Sequence, residues 1–598
     1  MLKVIKHFFT LLTPDQHKRF YMLQILVVLM AFAEIVGVAS IIPFMALVGD
    51  MSQLQQNTII TKVYQASGIT SELQFVFVLG VGVLVTLFIS AMISVLTIWR
   101  LSIFANKVGI EISDRLYTHY LKQDWLYHAT RNSAQLIKKI AVETDRVTGG
   151  IVIPLIQMNS SIVLALFLGL SIFIYDPIVA TIGIATFAIA YFILFKLVKV
   201  RLQFNGRSIS DMNEERFHLM NESFGGIKDV LLSGRENYFI KSFIQTGRII
   251  SYSAGTNRVL AQVPRYFMEL MAFGSMISLL LYLIVSYDGN LGVILPIVSV
   301  YALATFKLIP AFQQIYSNLS EIKSNIAAFE SIHQDLIDSK NIQLVTLKPK
   351  KSYLRPKKQI SLQNVTFTYP TLDKSTIKQI NLLIPTNSVI GIVGPSGSGK
   401  STLINIILGL IKPEQGYLKI DNTIINDKNC RSWQNTIGFV AQSIFLLDGT
   451  IAENIAFGVP QNQIDLEQVQ RTLKLAHLTE LIQNLEHGIH TKVGERGVQI
   501  SGGQCQRIGI ARALYHEPAV LVFDEATSSL DGITEKMIMD AIHDFGGQKT
   551  IIMIAHRLKT VKKCDQIFFI DKGQVVDHGT YQKLIETNEH FKKMATHA

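Results

Sequence analysis

The sequence has few cysteines and few charged residues for its length, and both shortages restrict what it can be. Only three of its 598 residues are cysteine, namely Cys430, Cys505 and Cys564. Their spacing fits neither a disulfide framework nor a metal-binding motif, and their scarcity suits a reducing cytosol. Asp, Glu, Lys and Arg make up 17% of the chain and hydrophobic residues 49%, which is unlike an ordinary soluble enzyme.

The charges that are present have an uneven distribution along the chain. The formal net charge is +11, but many of the cations flank apolar segments or lie in the loops between them. Cations so placed orient a protein in a bilayer and favour anionic head groups, so nucleic acid is not an expected partner. Residues 20–315 hold most of the long uncharged runs, whereas residues 355–598 have the composition of a soluble protein. A chain of this length is also too long for one core, and we predict a membrane half and a cytosolic half.

The membrane half contains six apolar segments near the length of about 20 residues that a spanning helix needs. These segments are 21–48, 74–98, 150–174, 177–198, 265–286 and 291–313. The two long connections are rich in Lys and Arg, so the positive-inside rule predicts that they and both termini are cytoplasmic. Because the connections keep helical periodicity, we expect the spans to continue as extended helices. Short turns near Asp124–Ser133 and Gly225–Glu236 would join these helices and dock on the soluble half.

Several ionisable residues fall within the predicted spans, where charge costs from about 3 to over 10 kcal/mol and therefore usually faces a cavity or a partner. They are Glu34, Arg265, Glu269 and Lys307, with Arg100 at the end of a span. Arg265 and Glu269 are four positions apart and could neutralise each other on one helix face. Lys307 has no carboxylate at the corresponding spacing, which favours contact with an anion, whereas Arg100 could extend its cation to the interface.

The soluble half contains a phosphate-binding loop. The β-branched run Val389–Val393 is followed by Gly394-Pro395-Ser396-Gly397-Ser398-Gly399-Lys400-Ser401, the P-loop pattern between a strand and a helix. Its glycines let backbone N–H groups close around phosphate oxygens at the positive end of the next helix. Lys400 would reach the β- and γ-phosphates of ATP, and the Ser401 hydroxyl would bind Mg²⁺. The predicted nucleotide contacts in this loop are Gly394, Ser396, Gly397, Gly399, Lys400, Ser401 and Thr402.

A second motif lies about 120 residues further on, where the apolar run 519–523 ends in two acids. Asp524 fits the Mg²⁺ partner, and Glu525 is placed to orient or deprotonate the attacking water. In isolation such a run could be a strand that ends in an exposed acidic turn. The P-loop ahead of it favours the catalytic interpretation.

The segment Ile500-Ser501-Gly502-Gly503-Gln504 resembles the signature sequence of ATP-binding cassette proteins, with Ile in the usual Leu position. Other motifs of that family follow in the same order and spacing. Tyr369 resembles the residue that stacks on adenine, and residues 495–497 resemble the Glu-Arg-Gly segment of exporters. Gln442 resembles the Q-loop glutamine, which acts in catalysis and binds Mg²⁺. Asp531 resembles the D-loop aspartate and His556 the switch histidine at the γ-phosphate.

The resemblance implies that one copy of the chain is incomplete. In this family the signature residues Ser501, Gly502, Gly503 and Gln504 complete the nucleotide site of the opposite subunit, so that two ATP molecules lie between two cassettes. The chain has one membrane half and one cassette, and it must therefore pair. A homodimer with two competent sites is the simplest closed assembly, and a heterodimer is the alternative.

The fusion of six spans to a cassette resembles exporters that include lipid flippases, drug pumps and peptide exporters. The implied fold is an all-α, six-helix, exporter-type transmembrane domain followed by an α/β P-loop cassette. We predict a cytoplasmic segment 1–20, a transmembrane domain 21–330, a linker 331–354 and a nucleotide-binding domain 355–598. The short segment ahead of the first span argues against a peptide exporter that carries its own leader peptidase.

The membrane half most resembles flippases of lipid-linked oligosaccharides, which serve bacterial protein glycosylation. The resemblance lies in residues 33–44 and in the segment 51–68, a predicted amphipathic helix with Ile59, Ile60, Val63 and Tyr64 facing lipid. It implies a polyprenyl-pyrophosphate glycan as cargo, a bacterial plasma membrane and cationic contacts, for which Arg265, Lys307 and Arg100 are the candidates. Two alternatives stay open. Phe and Met residues of the fifth span could form a cavity for apolar drugs, and cassettes also occur in non-transport ATPases, against which six spans argue.

Overall fold

A computed structural model of the chain divides into two compact units. Unit 1 comprises Met1–Gln123 and Thr130–Val345, and unit 2 comprises Asp124–Ala129 and Thr346–Ala598. The structure describes residues 9–10, 12–49, 51, 59–175, 177–286, 291–339, 352–494, 500–525, 547–555 and 558–596. Asp124–Ala129, part of a predicted docking turn, thus belongs to unit 2, and its Leu126 packs against one of that unit's hydrophobic clusters.

Unit 1 consists of helices, most of them long, and a short helix of unit 2 lies between them in sequence. They are α1 (Pro14–Gly49), α2 (Ile59–Ser67), α3 (Glu72–Leu121), α4 (Trp125–Thr130, mostly in unit 2), α5 (133–175), α6 (Pro177–Gly225), α7 (Ile227–Leu232), α8 (Glu236–Ser286) and α9 (Leu291–Asp338). All six predicted spans lie within helices of this set. Within the described residues, four stretches are long and apolar enough to cross a membrane: Pro14–Met45, Glu72–Leu121, Ser133–Ser171 and Glu236–Val285.

The helices continue well beyond the apolar segments, as the sequence predicts. Helix α3 has 50 residues, which at about 1.5 Å per residue is more than twice the roughly 30 Å of a bilayer's hydrocarbon core. Helix α9 extends to Asp338, so the predicted linker 331–354 starts inside a helix. The physical reason is that Ile332 and Leu336 are fully buried and keep the helix packed in unit 1.

Helix α5 is not a regular α-helix throughout. Lys139–Glu143 and Thr148–Val152 are π-helical, and short α-helical stretches precede and separate them. Glu143 is fully buried in the first π-segment and lies 3.2 Å from the ammonium of Lys138 and 3.1 Å from the guanidinium of Arg146. Each wide turn shifts the register of the side chains that follow, which hydrophobic periodicity does not predict.

The predicted external amphipathic helix is only partly as expected. Helix α2 covers the second half of segment 51–68, residues 52–58 lie outside the described residues, and so do the side chains of Ile59 and Ile60. The side chain of Val63 is exposed. The expectation for Tyr64 is wrong, because its ring packs against Phe75 with centroids 4.9 Å apart and its hydroxyl donates to the Thr70 carbonyl. An apolar helix face can pack on protein as well as on lipid.

Unit 2 contains two sheets. Its strands are β1 (Gln359–Phe367), β2 (Ile377–Pro385), β3 (Val389–Val393), β4 (Gln415–Ile420), β5 (Thr423–Ile424), β6 (Ile437–Val440), β7 (Val520–Asp524), β8 (Thr550–Ile554), β9 (Gln566–Asp571) and β10 (Gln574–Gly579). The first sheet has the order β2-β1-β4-β5 and is antiparallel. The second has the order β10-β9-β3-β8-β7-β6 and is parallel except for β10. Strands β3 and β8 are buried along their whole length, as strands inside a parallel sheet must be.

Helices connect the strands of unit 2, and the nucleotide motifs lie at one edge of the second sheet. The helices are α10 (Lys400–Ile407), α11 (Cys430–Gln434), α12 (Ile451–Ile455), α13 (Leu466–Leu475), α14 (Thr479–Gln483), α15 (Gly502–Leu514), α16 (Tyr581–Thr587) and α17 (Glu589–Thr596). The carboxyl ends of parallel strands meet at the same edge, where ligands of open α/β sheets bind. The P-loop follows β3, Gln442 follows β6, and Glu525 follows Asp524 at the end of β7, so the topology gathers the three motifs there.

Candidate nucleotide-binding and hydrolysis site

The P-loop is a tight turn between β3 and α10. Gly399 has a φ of 102° and stands at the N-terminus of α10, in the left-handed region that favours glycine. Gly394 approaches the backbone so closely that an added Cβ would overlap the carbonyl oxygen of Ile570. Two of the predicted glycines are thus required by the backbone itself.

A turn that the sequence analysis missed supports this loop. The Gly573 N–H, between β9 and β10, donates to the Ser398 carbonyl at 3.0 Å, and the Gly573 carbonyl accepts from the Lys378 N–H at 2.8 Å. Lys572 and Gly573 have φ values of 48° and 79°, as in a tight hairpin turn. The Asp-Lys-Gly sequence at 571–573 signals such a turn, but not that it holds the P-loop.

Lys400 is buried beneath the loop. Its ammonium donates to the carbonyl oxygens of Gly394 at 2.9 Å and Pro395 at 2.8 Å. Burial lowers the pKa of Lys400, and the carboxylates of Glu525 and Asp524 oppose this shift. Within the described residues the buried Ser398 hydroxyl has no hydrogen-bond partner. A desolvated ammonium beside such a hydroxyl suits an anionic ligand such as the phosphates of ATP.

Glu525 and Gln442 meet at the end of β7 and β6. The side-chain amide of Gln442 donates to a carboxylate oxygen of Glu525 at 2.7 Å. Glu525 has a φ of 49°, a left-handed conformation that costs a non-glycine residue about 1–3 kcal/mol and is common at functional sites. The structure therefore brings together Glu525 and Gln442, two of the three residues that the sequence analysis names as catalytic.

The predicted metal ligands form a set of oxygen donors. They are the hydroxyl of Ser401 in the first turn of α10, the amide of Gln442 and the carboxylate of Asp524 at the end of β7. Carboxylate, amide and hydroxyl oxygens are the ligands that Mg²⁺ prefers, and Mg²⁺ is held by few protein groups. The donor set therefore fits Mg²⁺ accompanying a nucleotide.

Tyr369 lies beside the P-loop helix. Its hydroxyl is 3.3 Å from the Thr402 hydroxyl, and its ring meets Phe367 edge-on with centroids 5.1 Å apart. The ring is partly buried against the core. This position at α10 is compatible with the predicted contact to adenine.

The signature segment forms the N-terminus of α15. Ser501 and Gln504 make a capping box, in which the serine hydroxyl accepts from the Gln504 N–H and the glutamine amide oxygen accepts from the Ser501 N–H. These hydrogen bonds close within the first turn of the helix rather than on the P-loop of the same chain. Ile500 packs against the core as Leu would, and Gly502 is exposed. An exposed helix N-terminus flanked by glycines can receive an anion from another molecule.

Three of the predicted features lie outside the described residues, namely Asp531, His556 and the segment 495–497. The sequence analysis in turn missed Arg512 of α15. Its guanidinium donates to the Asn454 carbonyl and the Phe445 carbonyl, both at 2.8 Å, and it lies over the Phe457 ring. Arg512 thus joins the signature helix to the segment that follows the Q-loop.

The cations predicted to contact cargo have different environments. Arg265 donates to Glu269 at 2.6 Å with its side chain half exposed, so the structure shows the pairing that the sequence left as one alternative. Arg100 is exposed, with its guanidinium 5.6 Å from the centre of the Trp99 ring. Lys307 lies in α9, and its side chain is outside the described part of the structure.

Comparisons with known proteins agree with this geometry. The family model of the ABC transporter transmembrane region matches residues 23–246, and the family model of the ABC transporter matches residues 377–528. Together they cover more than half of the chain, in the order of an exporter.

Curated relatives match more than four fifths of the chain, and a solved structure matches nearly all of it. The chain is 28% identical to an ATP-dependent lipid A-core flippase of Ralstonia nicotianae, over 81% of both chains. It is 29% identical to the same flippase of Cupriavidus pinatubonensis, over 83% of this chain and 85% of the relative. The structure of a bacterial Atm1-family ABC exporter with ATP bound matches 96% of this chain and 98% of its own, with a TM-score of 0.78 at 20% identity, which shows the fold. The chain therefore belongs to the ABC transporters, as an exporter half-transporter that joins one transmembrane domain to one ATP-hydrolysing cassette.

Proposed function

We propose that two copies of this chain form a homodimer that uses ATP to flip a lipid-linked oligosaccharide, a polyprenyl-pyrophosphate glycan, across a bacterial plasma membrane. The observation that carries the ATP-driven part is the hydrogen bond of 2.7 Å between Gln442 and Glu525 beside a complete P-loop. The lipid part is supported by relatives that are named as lipid flippases and match more than 80% of the chain.

The residues at the nucleotide-binding edge of the second sheet have distinct roles in this proposal. Lys400 and the P-loop backbone hold the phosphates of ATP, and Tyr369 contacts the adenine. Glu525 takes a proton from the attacking water, Gln442 orients that carboxylate, and His556 contacts the γ-phosphate. Mg²⁺ bound to Ser401, Gln442 and Asp524 would neutralise charge on the phosphates. Asp531 and the signature residues Ser501, Gly502, Gly503 and Gln504 act on the nucleotide held by the other subunit.

Closure of the two cassettes on ATP would supply the work of transport. ATP can move an equilibrium only by the difference between its affinities for the closed and the separated pair. The signature helices offer that difference, because they can contact a nucleotide only when the pair is closed. Helix α4, which falls mostly in unit 2, is the element that we propose transmits the movement to the spans.

The cargo needs cations along its path because a pyrophosphate in hydrocarbon is strongly unfavourable. Arg265, Lys307 and Arg100 are the proposed contacts. Arg265 would exchange Glu269 for the phosphate when cargo binds. In the proposed orientation both termini and the cassettes are cytoplasmic, and cargo moves outward.

The test is a flipping assay in proteoliposomes with a fluorescent polyprenyl-pyrophosphate oligosaccharide and an enzyme that modifies only the outer leaflet. We expect an ATP-dependent change in accessibility that disappears in Glu525→Gln. A second arm carries a lipid A-core glycolipid, because the relatives' names favour that cargo. If only the lipid A-core glycolipid moves, the proposed oligosaccharide cargo is wrong and lipid A-core takes its place. Intact ATPase activity without movement of either lipid would contradict lipid flipping and favour apolar drugs or peptides.

A further inference from the structure

Unit 1 contains a cavity that the nucleotide chemistry does not use. It has a volume of about 260 Å³ and lies among α1, α3, α5 and α9. Half of its lining residues carry a hydroxyl, amide or carboxyl group, although the helices on which they lie are largely apolar. Polar groups at membrane depth are unfavourable unless they serve a partner or a ligand.

Glu34 provides the charge of this cavity. Its carboxylate accepts a hydrogen bond of 2.9 Å from the hydroxyl of Ser94 on α3, and among the described lining residues it is the one ionisable group. Across the cavity the amide of Gln314 on α9 donates to Gln157 on α5 at 3.3 Å. The buried Ser160 adds a hydroxyl from the next turn of α5. Four helices thus contribute polar groups to one small space.

The composition of the lining selects a class of ligand. A phosphate is disfavoured, since the one charge that lines the cavity is negative. An ammonium can only donate, so it would satisfy Glu34 but would leave amide N–H groups such as those of Gln157 without an acceptor. A sugar hydroxyl both donates and accepts. A ring that bears several hydroxyls can therefore pair with carboxylate, amide and serine groups together.

The size and position of the cavity agree with that ligand. Sites for drug-sized ligands occupy about 300–1,000 Å³, so a cavity of about 260 Å³ holds one ring-sized group rather than a whole glycolipid. Ser94 lies near the end of the second predicted span, and Gln157 lies near the start of the third. In the proposed orientation both positions are toward the cytoplasm, where an exporter loads its cargo.

We propose that this cavity binds one sugar ring of the cargo head group, with Glu34 as the residue that selects hydroxylated cargo. The inference rests on the proposed lipid-exporting function and names the part of the cargo that this site recognises. The pyrophosphate is left to the cationic residues. Glu34 accepts hydrogen bonds from the sugar, and Gln157, Ser160 and Gln314 complete the ring of contacts.

The test is a competition for the full-length protein in detergent, read by native mass spectrometry. The probes are undecaprenyl pyrophosphate bearing a disaccharide, undecaprenyl pyrophosphate alone and phosphatidylethanolamine, at equal concentrations. The wild type should prefer the sugar-bearing lipid. Glu34→Gln, which keeps the shape of the side chain, should reduce that preference about tenfold, as expected for loss of a charge-assisted hydrogen bond. Gln157→Leu should act in the same direction.

Ser171→Ala is the matched control. It removes a hydroxyl from the same helix α5, where it only donates to the Phe167 carbonyl, and should leave the preference unchanged. Equal binding of the lipids with and without sugar, or variants that keep the wild-type preference, would overturn the proposal. So would a Glu34→Gln effect confined to phosphatidylethanolamine. Flipping of lipid without any sugar preference would refute the proposed role of the cavity and would leave the proposed exporter function intact. A Glu34-dependent sugar preference without flipping would support the sugar site and contradict the proposed flipping.

Discussion

Glu525 combines a strained backbone with a carboxylate that is held by Gln442. Its proposed role can be tested by replacing one carboxylate oxygen with an amide group. Glu525→Gln keeps the shape of the side chain but removes the proposed base, so we expect ATP hydrolysis to fall by about 10²–10⁴-fold while ATP binding persists. Phosphate release and binding of a labelled ATP measure the two effects.

The chain provides a closely matched control. Glu517 shares the φ of 49° but pairs with Arg471 on the exposed surface. Glu517→Gln should therefore leave hydrolysis within about twofold of the wild type, because exposed ion pairs contribute little. Equal losses of ATP hydrolysis in the two variants would show that the loss comes from a change in charge or folding, and not from removal of the proposed base.

Single residues were predictable where their chemistry is local in the chain. The P-loop and the acids after β7 are recognisable because each motif is a short run with a defined neighbour, a strand before it or a helix after it. Gly573 and Arg512 were not, because their partners Ser398 and Asn454 are far away in sequence. Glu34 lay between the two cases, since charge at membrane depth predicts a cavity or a partner but not which one.

At the level of helices, the approach of α6 to α9 depends on Gly206. An added Cβ there would overlap the backbone carbonyl oxygen of Ser324, which cannot move away as a flexible side chain could. Gly206→Ala should lower the free energy of unfolding by about 1–3 kcal/mol or more. Gly255→Ala on α8 meets no atom within 4 Å and should raise it by about 0.5–1 kcal/mol. Thermal unfolding in detergent measures both changes, and shifts of the same sign would contradict the close packing.

The π-helical part of α5 depends on a buried ion network. Glu143 is fully buried, accepts from Lys138, Arg146 and Ser210, and helps to hold α5 against α6. Glu143→Gln leaves two poorly solvated cations with less negative charge, which should cost about 3–5 kcal/mol. Glu222→Gln, at an exposed position on α6, should cost under about 0.5 kcal/mol. Denaturation followed by circular dichroism separates these values, and equal midpoints would refute the network.

The extent to which helices were predictable follows from the physics of their pattern. All six segments selected by hydropathy lie within helices, and four stretches of the described residues are long and apolar enough to cross a membrane, because a bilayer imposes both length and composition. Hydropathy did not reveal the π-segments, because they change the register without changing composition. It also assigned Tyr64 to lipid, because an apolar face does not distinguish lipid from the ring of Phe75.

At the level of the whole molecule, the capping box of Ser501 closes on its own helix, and in the proposed homodimer the signature segment would complete the nucleotide site of the second copy. A site shared between subunits can be tested with mixed dimers purified through two different tags. One dimer pairs Lys400→Ala with Ser501→Glu, one change per subunit. The P-loop of the second subunit and the signature of the first are then both intact, and together they make one complete site. The other dimer pairs the double variant with the wild type, so each site contains one damaged motif. Both dimers carry the same two substitutions, and only their distribution differs.

We expect the first dimer to hydrolyse ATP at up to about half of the wild-type rate and the second dimer to be near background. Equal rates would show that each cassette works without its partner's signature and would contradict the shared site.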